Sequence, residues 1–260
     1  MSGYILCQTK KAEVPFFIEN ISTNIYTLEE LCYYLYHNLC LIDQTLINEN
    51  LCDWLSNELG LTELAGKLRP NVGKFASAED ILYPIFKEIN YLTYEELRTL
   101  NGELAKLDAQ PPAIREKQKG DALVENGMYV NAIHVYQRLL ERGNLEQARE
   151  GLTAEICHNL GCAYSYLFQM EKAAECFFRA YEESKNKDEL IAYFLAYKSV
   201  KTPIEYESRM QELKADEEIQ KGVREALNRF VKLPEKPVYS QHIDELLDAF
   251  TREYHRSTGA

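Results

Sequence analysis

Cys157, His158, Cys162 and Cys176 form the one cluster of metal-ligating residue types in this 260-residue chain. Zinc sites built from cysteine and histidine place ligand pairs a few residues apart so that both converge on one ion. Cys157 and Cys162 stand five apart on one predicted helix, a poor angular match for a shared ion, and Cys176 falls on the next helix. These thiols are expected to pack as small apolar groups, as are Cys32, Cys40 and Cys52, so no metal or cofactor is expected. His37 and His134 lie in helical patterns without a Ser, Cys or carboxylate spaced to make a base and nucleophile pair, while His242 and His255 lie near the chain end. The carboxylate pairs Glu29-Glu30, Glu95-Glu96 and Glu182-Glu183 fall at helix starts or on charged faces, where water solvates them. The sequence contains no phosphate-cradling glycine loop, paired-histidine metal helix or nucleophile elbow. The expectation is a protein that is not an enzyme, with no catalytic residues, and the interest moves to the elements that present a surface.

Composition narrows the partners. Hydrophobic residues make up 46% of the chain, enough for a substantial core, and 18 tyrosines suit helices that pack closely while their rims touch water. The formal net charge is -12, with 16 acidic and 8 basic residues up to Gln110 and no run of Lys and Arg. Such a surface repels phosphate backbones and anionic lipid, so neither nucleic acid nor membrane is expected as a partner. Seven cysteines without close pairing fit reduced thiols. The opening residues meet Gln8-Thr9-Lys10-Lys11 before an export-length apolar core, and no segment has the apolar length to span a bilayer, which together predict a cytoplasmic protein.

The periodicity predicts an all-α fold. Residues 4–26 hold short apolar and β-branched runs that suggest a small β-hairpin, with Pro15 at a strand start or edge. Thr27 with Glu30, and Thr93 with Glu96, form capping boxes that open helices, the first carrying Leu28, Leu31, Cys32, Leu35 and Leu39 on one face. Further helices are predicted over residues 44–59, 61–68, 77–90 and 93–107, with Pro84 kinking the third of these or marking a late start. Pro111-Pro112 marks the boundary between a helical region of residues 1–110 and a region of residues 111–232. A stiff connector at residues 233–237 leads within residues 233–260 to a C-terminal helix whose Ile243, Leu246, Leu247, Phe250 and Tyr254 form one stripe, the pattern of a capping helix.

Between those borders the chain repeats itself. Gly120, Ala132 and Tyr136 stand at the same mutual offsets as Gly161, Ala173 and Phe177. With Gly127 and Tyr129 in the first copy, and Leu160, Tyr164 and Ala180 in the second, residues 117–142 and 158–184 resemble tetratricopeptide repeats, helical hairpins of about 34 residues. Lys119 replaces the leucine of that signature, and the 41-residue spacing from Gly120 to Gly161 exceeds the family period, implying a longer connection across residues 143–153. A third copy over residues 188–203 keeps only the apolar pattern.

The resemblance implies an array of antiparallel hairpins whose first helices line a concave groove that docks peptides or extended protein segments. Carried over position by position, the groove residues are Ile114, Lys117, Asp121 and Val124 in the first copy and Glu155, His158, Cys162 and Ser165 in the second. The basic and Asn set that clamps a C-terminal carboxylate in chaperone-binding members is not reproduced, and Asp121 would repel one, which favours a basic or mixed segment. The function expected is an adaptor or scaffold that binds a protein or peptide. The alternative is a peptide-sensing regulator whose N-terminal region contacts DNA or another effector through a helix-turn-helix around Trp54 to Leu68, although residues 44–90 carry only Lys67, Arg69, Lys74 and Lys87 as basic groups.

Overall fold

The β-branched stretch near the N-terminus folds as an antiparallel hairpin, β1 (Phe16–Ile18) against β2 (Thr23–Ile25), with Phe16 opposite Ile25 and Ile18 opposite Thr23. Period-2 alternation buries Phe16, Ile18 and Ile25 and turns Phe17 to solvent. The rest of this computed structural model, which describes residues 9–43, 45–73, 78–143, 145–231, 247 and 250–252, is helical apart from turns and loops. The apolar run at residues 4–7, the connector at 233–237 and most of the predicted C-terminal helix lie outside the described residues.

The front region contains α1 (Leu28–His37), α2 (Glu49–Asn57), α3 (Thr62–Leu68), α4 (Ala78–Glu88) and α5 (Tyr94–Ala109). Both predicted capping boxes are present, with the Thr27 and Thr93 hydroxyls accepting from the backbone of Glu30 and Glu96. Two boundaries differ from expectation. The first helix ends before Leu39, because Asn38 leaves helical geometry at φ -131. The next begins at Glu49 rather than at residue 44, because the Asp43 carboxylate accepts from the Thr45 backbone at 2.9 Å and Asn48 caps the helix from outside, accepting from Leu51 at 3.0 Å. Pro84 lies inside α4. The hairpin docks on α2, where the Trp54 indole donates to the Val14 carbonyl at 2.9 Å and its ring lies 5.7 Å from that of Phe16.

Beyond Pro111 follow α6 (Pro112–Glu125), α7 (Tyr129–Arg142), α8 (Leu145–Ala148), α9 (Leu152–Tyr166), α10 (Met170–Ser184), α11 (Lys187–Val200), α12 (Pro203–Glu212) and α13 (Glu217–Val231). Pro112 starts α6 at the position where a missing N–H costs nothing. α6 turns into α7, α9 into α10 and α12 into α13 by the same device. A left-handed residue ends each first helix (Gly127 at φ 74, Phe168 at φ 56, Lys214 at φ 49). The next N–H then closes back on the carbonyl five residues earlier, from Met128 to Leu123, Gln169 to Tyr164 and Ala215 to Met210. The long connection over residues 143–153 resolves into α8 and a glycine turn at Gly151, and the Glu146 carboxylate accepts from the Gly151 and Thr153 backbones to start α9. Residues 188–203, where the repeat keeps only its apolar pattern, hold most of α11, which ends at Val200 because Lys201 is extended, and Thr202 then opens α12 with its own capping box.

One hydrophobic core runs through the molecule from Ala12 to Val223, crossing the Pro111-Pro112 boundary. Polar links cross it too, since Lys119 pairs with Asp43 at 2.6 Å and Asn126 donates to Asn38 at 2.9 Å. Lys119 is the residue that departs from the repeat signature, and the Asp43 carboxylate explains it. Burial pushes that carboxyl up, yet the hydrogen bonds from Lys119 and Thr45 outweigh burial and hold it below the usual carboxylate range.

Candidate functional site

Two helix crossings build the face shared by α6 and α9. Gly120 lies against Tyr136 so closely that a Cβ would fall 2.4 Å from the ring, and at Gly161 it would fall 2.7 Å from the ring of Phe177. Both glycines are buried. Lacking a side chain, each lets the flat face of an aromatic ring reach the helix backbone, so the second helix of each hairpin seats against the first. Ala132 and Ala173, both fully buried, keep the same approach short one turn into α7 and α10.

On this face the first helices are tied sideways by charge. Lys117 contacts Asp121 at 2.7 Å on its own helix and Glu155 on α9 at 3.6 Å, and Glu155 also takes Arg149 at 2.5 Å. Asp121 accepts from the Tyr136 hydroxyl at 2.6 Å and from the Asn159 amide at 2.7 Å. His158 Nδ1 lies 2.7 Å from the Glu189 carboxylate on α11. The hydrogen bond to Cys162 and then the one to Glu189 raise the His158 imidazole to about 10, so it is an imidazolium at neutral pH. Burial, followed by Asp121, lifts the Tyr136 hydroxyl well above the usual tyrosine range and keeps it a donor.

Beside this network opens a depression of about 400 Å³, lined by Asp121, Val124, Glu125, Tyr136, Asn159, Cys162 and Tyr166. All eight sequence-derived groove residues are half-buried on the first helices. Asp121, Val124 and Cys162 line the depression, and Lys117, Glu155 and His158 belong to the ion network. Ile114 packs against the core, and Ser165 turns its hydroxyl back onto the Gly161 carbonyl at 2.9 Å. Sequence reasoning missed Asn159, Glu189, the Tyr136 hydroxyl and Tyr166. Only the last two had a local signal, a tyrosine where the second copy has phenylalanine and an aromatic at the helix end. Tyr166 is 58% exposed and stacks in parallel on Tyr129 at 4.5 Å, and Phe168, two residues on, is 85% exposed. The exposed Tyr166 at the edge of this depression can take up apolar side chains, with Glu125 beside it favouring cationic neighbours.

The other candidates offer less. Cys157 is buried and Cys176 half-buried, burial pushing the first thiol up to about 11 and the second to about 12, far from thiolate formation at neutral pH. Among the described residues no three His, Cys, Asp or Glu side chains converge to hold a metal ion, and no helix is long and apolar enough to cross a membrane. α2 and α3 meet at Gly60 in a helical corner, but α3 buries Leu64, Ala65 and Leu68 and exposes Glu63 beside Lys67, while Arg69 is taken by Glu49 and Asp53. In comparisons with known proteins, no family model, no curated protein and no solved structure matches this chain.

Proposed function

We propose that this protein is a protein- or peptide-binding adaptor whose α6–α9 face, a short groove of the tetratricopeptide kind, captures an extended partner segment. The observation that carries the reading is the repeated glycine-to-ring crossing at Gly120 and Gly161, which seats α7 on α6 and α10 on α9 in the same way, with a depression lined from α6, α7 and α9 beside it. The charged groups on this face satisfy one another, so the groove is preorganised rather than charged for its own sake, and recognition falls to Val124, Tyr166 and Phe168 with Glu125 at the rim. A segment of apolar and basic residues fits best. Affinity capture from the native cell with the intact chain and with a Tyr166→Ala, Phe168→Gly variant tests this. Loss of recovered partners from the variant is expected, and an unchanged set would overturn the groove assignment.

A second reading, a regulator in which groove occupancy repositions the front region against DNA or another effector, draws on the direct links Lys119–Asp43 and Asn126–Asn38 from α6 to the front region. The acidic front surface makes DNA the less favoured effector. Retention of the intact chain on a nucleic-acid column would support DNA, and passage in the void at low salt would remove it.

A further inference from the structure

On the far side of α10 the chain has seated one of its own arginines on an aromatic floor. α12 lies over the crevice between α10 and α11, where Tyr206 and Met210 pack partly buried against the core, Tyr206 edge-on to Phe194 at 5.8 Å, while Ile204 is 81% exposed. Arg209 adds a polar anchor in the crevice and also pairs with Glu212 on its own helix at 2.8 Å. The guanidinium lies 4.9 Å from the centre of the Phe178 ring and 5.9 Å from that of Tyr193, and its Nε donates to the Tyr193 hydroxyl at 3.0 Å. Tyr193 is buried and tilted against both Phe178 and Tyr197, which fixes the floor.

Beside Arg209 remains an open cavity of about 430 Å³, lined also by Glu171, Glu175, Tyr197 and Lys201. Glu171 and Glu175 lie one turn apart on α10, are exposed, and form no ion pair among the described residues. With Arg209 in place the lining holds two carboxylates against two cations, and with the Arg209 side chain swung out it carries one negative charge in excess. Stacking face, hydroxyl acceptor and uncommitted carboxylates are what a planar guanidinium uses, since it stacks on rings while donating in its own plane.

We propose that the α10–α11 crevice is a docking site for an arginine-bearing peptide segment, and that the Arg209 side chain is its resident stand-in, holding the guanidinium position until a partner's arginine takes it. The site lies on other residues than the α6–α9 groove and stands or falls independently of it. The test is fluorescence anisotropy of the intact chain with a labelled Gly-Ser peptide carrying one central arginine, alongside its lysine and citrulline counterparts.

Removing the resident should raise the competent fraction, so Arg209→Ala is expected to bind the arginine peptide roughly fivefold or more tighter than the unmodified chain. Adding Glu171→Gln and Glu175→Gln to that variant should cancel the gain. The lysine peptide should bind more weakly and the citrulline peptide not at all. Arg209→Gln keeps the side-chain stem on Phe178 and should give an intermediate affinity, which keeps the test decisive if the alanine variant misfolds. Equal or weaker binding by both Arg209 variants, no binding at millimolar peptide, or indifference to the two glutamates would overturn the proposal.

Discussion

The α6–α7 and α9–α10 hairpins share a shape and differ in chemistry. Each seats an aromatic ring on a bare glycine, each ends its first helix in a left-handed residue, and each places a cationic side chain at the same position, Lys117 in one and His158 in the other. Both cations reach a glutamate on a later helix, Lys117 to Glu155 on α9 and His158 to Glu189 on α11. The differences fall where shape is indifferent to them. Tyr136 adds a hydroxyl that binds Asp121, where Phe177 has none, and Phe168 occupies the left-handed position that Gly127 fills without strain. The pair shows that the crossing needs a flat ring and no Cβ, whereas the lateral ties need only some polar group of suitable length.

The comparison breaks most visibly at the rings. Tyr136→Ala and Phe177→Ala should each lose about 3–5 kcal/mol in chemical denaturation, because both rings are buried and their removal leaves cavities against glycine. A cost below about 1 kcal/mol at either ring would show that the two crossings are not equivalent. The glycines come next, and here sign separates cause from propensity. Gly120→Ala gains about 1 kcal/mol of helix propensity but overpacks the Tyr136 ring, for a net loss of roughly 1–2 kcal/mol, with a smaller loss at Gly161 where the approach is 2.7 Å. Gly102→Ala on α5, where an added Cβ meets nothing within 4 Å, should instead gain about 0.5–1 kcal/mol. Equal effects at Gly102 and Gly120 would mean that the ring contact carries no cost.

What could be read in advance follows from how local each cause is. The capping boxes at Thr27 and Thr93 and the glycine and ring offsets are statements about residues within one or two helical turns or one hairpin, and the coordinates carry all of them. The late start of α2 escaped because Asp43 looks like helix until its carboxylate is seen bonding to Thr45. Lys119 looked like a defect in the repeat because Asp43, its partner, lies 76 residues away. The proposed groove was legible as a helix face and illegible as a network, since Glu189 and Asn159 acquire meaning only once α11 and α9 pack beside the helices they bond.

A smaller effect sharpens the contrast between Gly127 and Phe168. Phe168 is 85% exposed and held at φ 56, so it contributes strain and almost no burial to the fold. Phe168→Gly should therefore stabilise the protein by about 1 kcal/mol, the usual cost of a left-handed non-glycine residue, while weakening partner capture. A loss of stability would mean that the ring packs in solution.

The smallest effect separates the two cations by pH. His158 is raised from 6.5 in the unfolded chain to about 10 in the fold, by its hydrogen bond to Cys162 first and Glu189 second. A raised folded value means that the native state binds the proton more tightly, so the contribution is fully present below pH 6.5 and disappears as pH climbs through 10. The imidazole's side chain is 38% exposed, so solvent screening keeps the stabilisation modest. Melting temperatures of the intact chain and of Glu189→Gln should diverge at pH 6 and converge toward pH 10. A constant gap across that range would place the Glu189 contribution outside His158 and remove the parallel with Lys117.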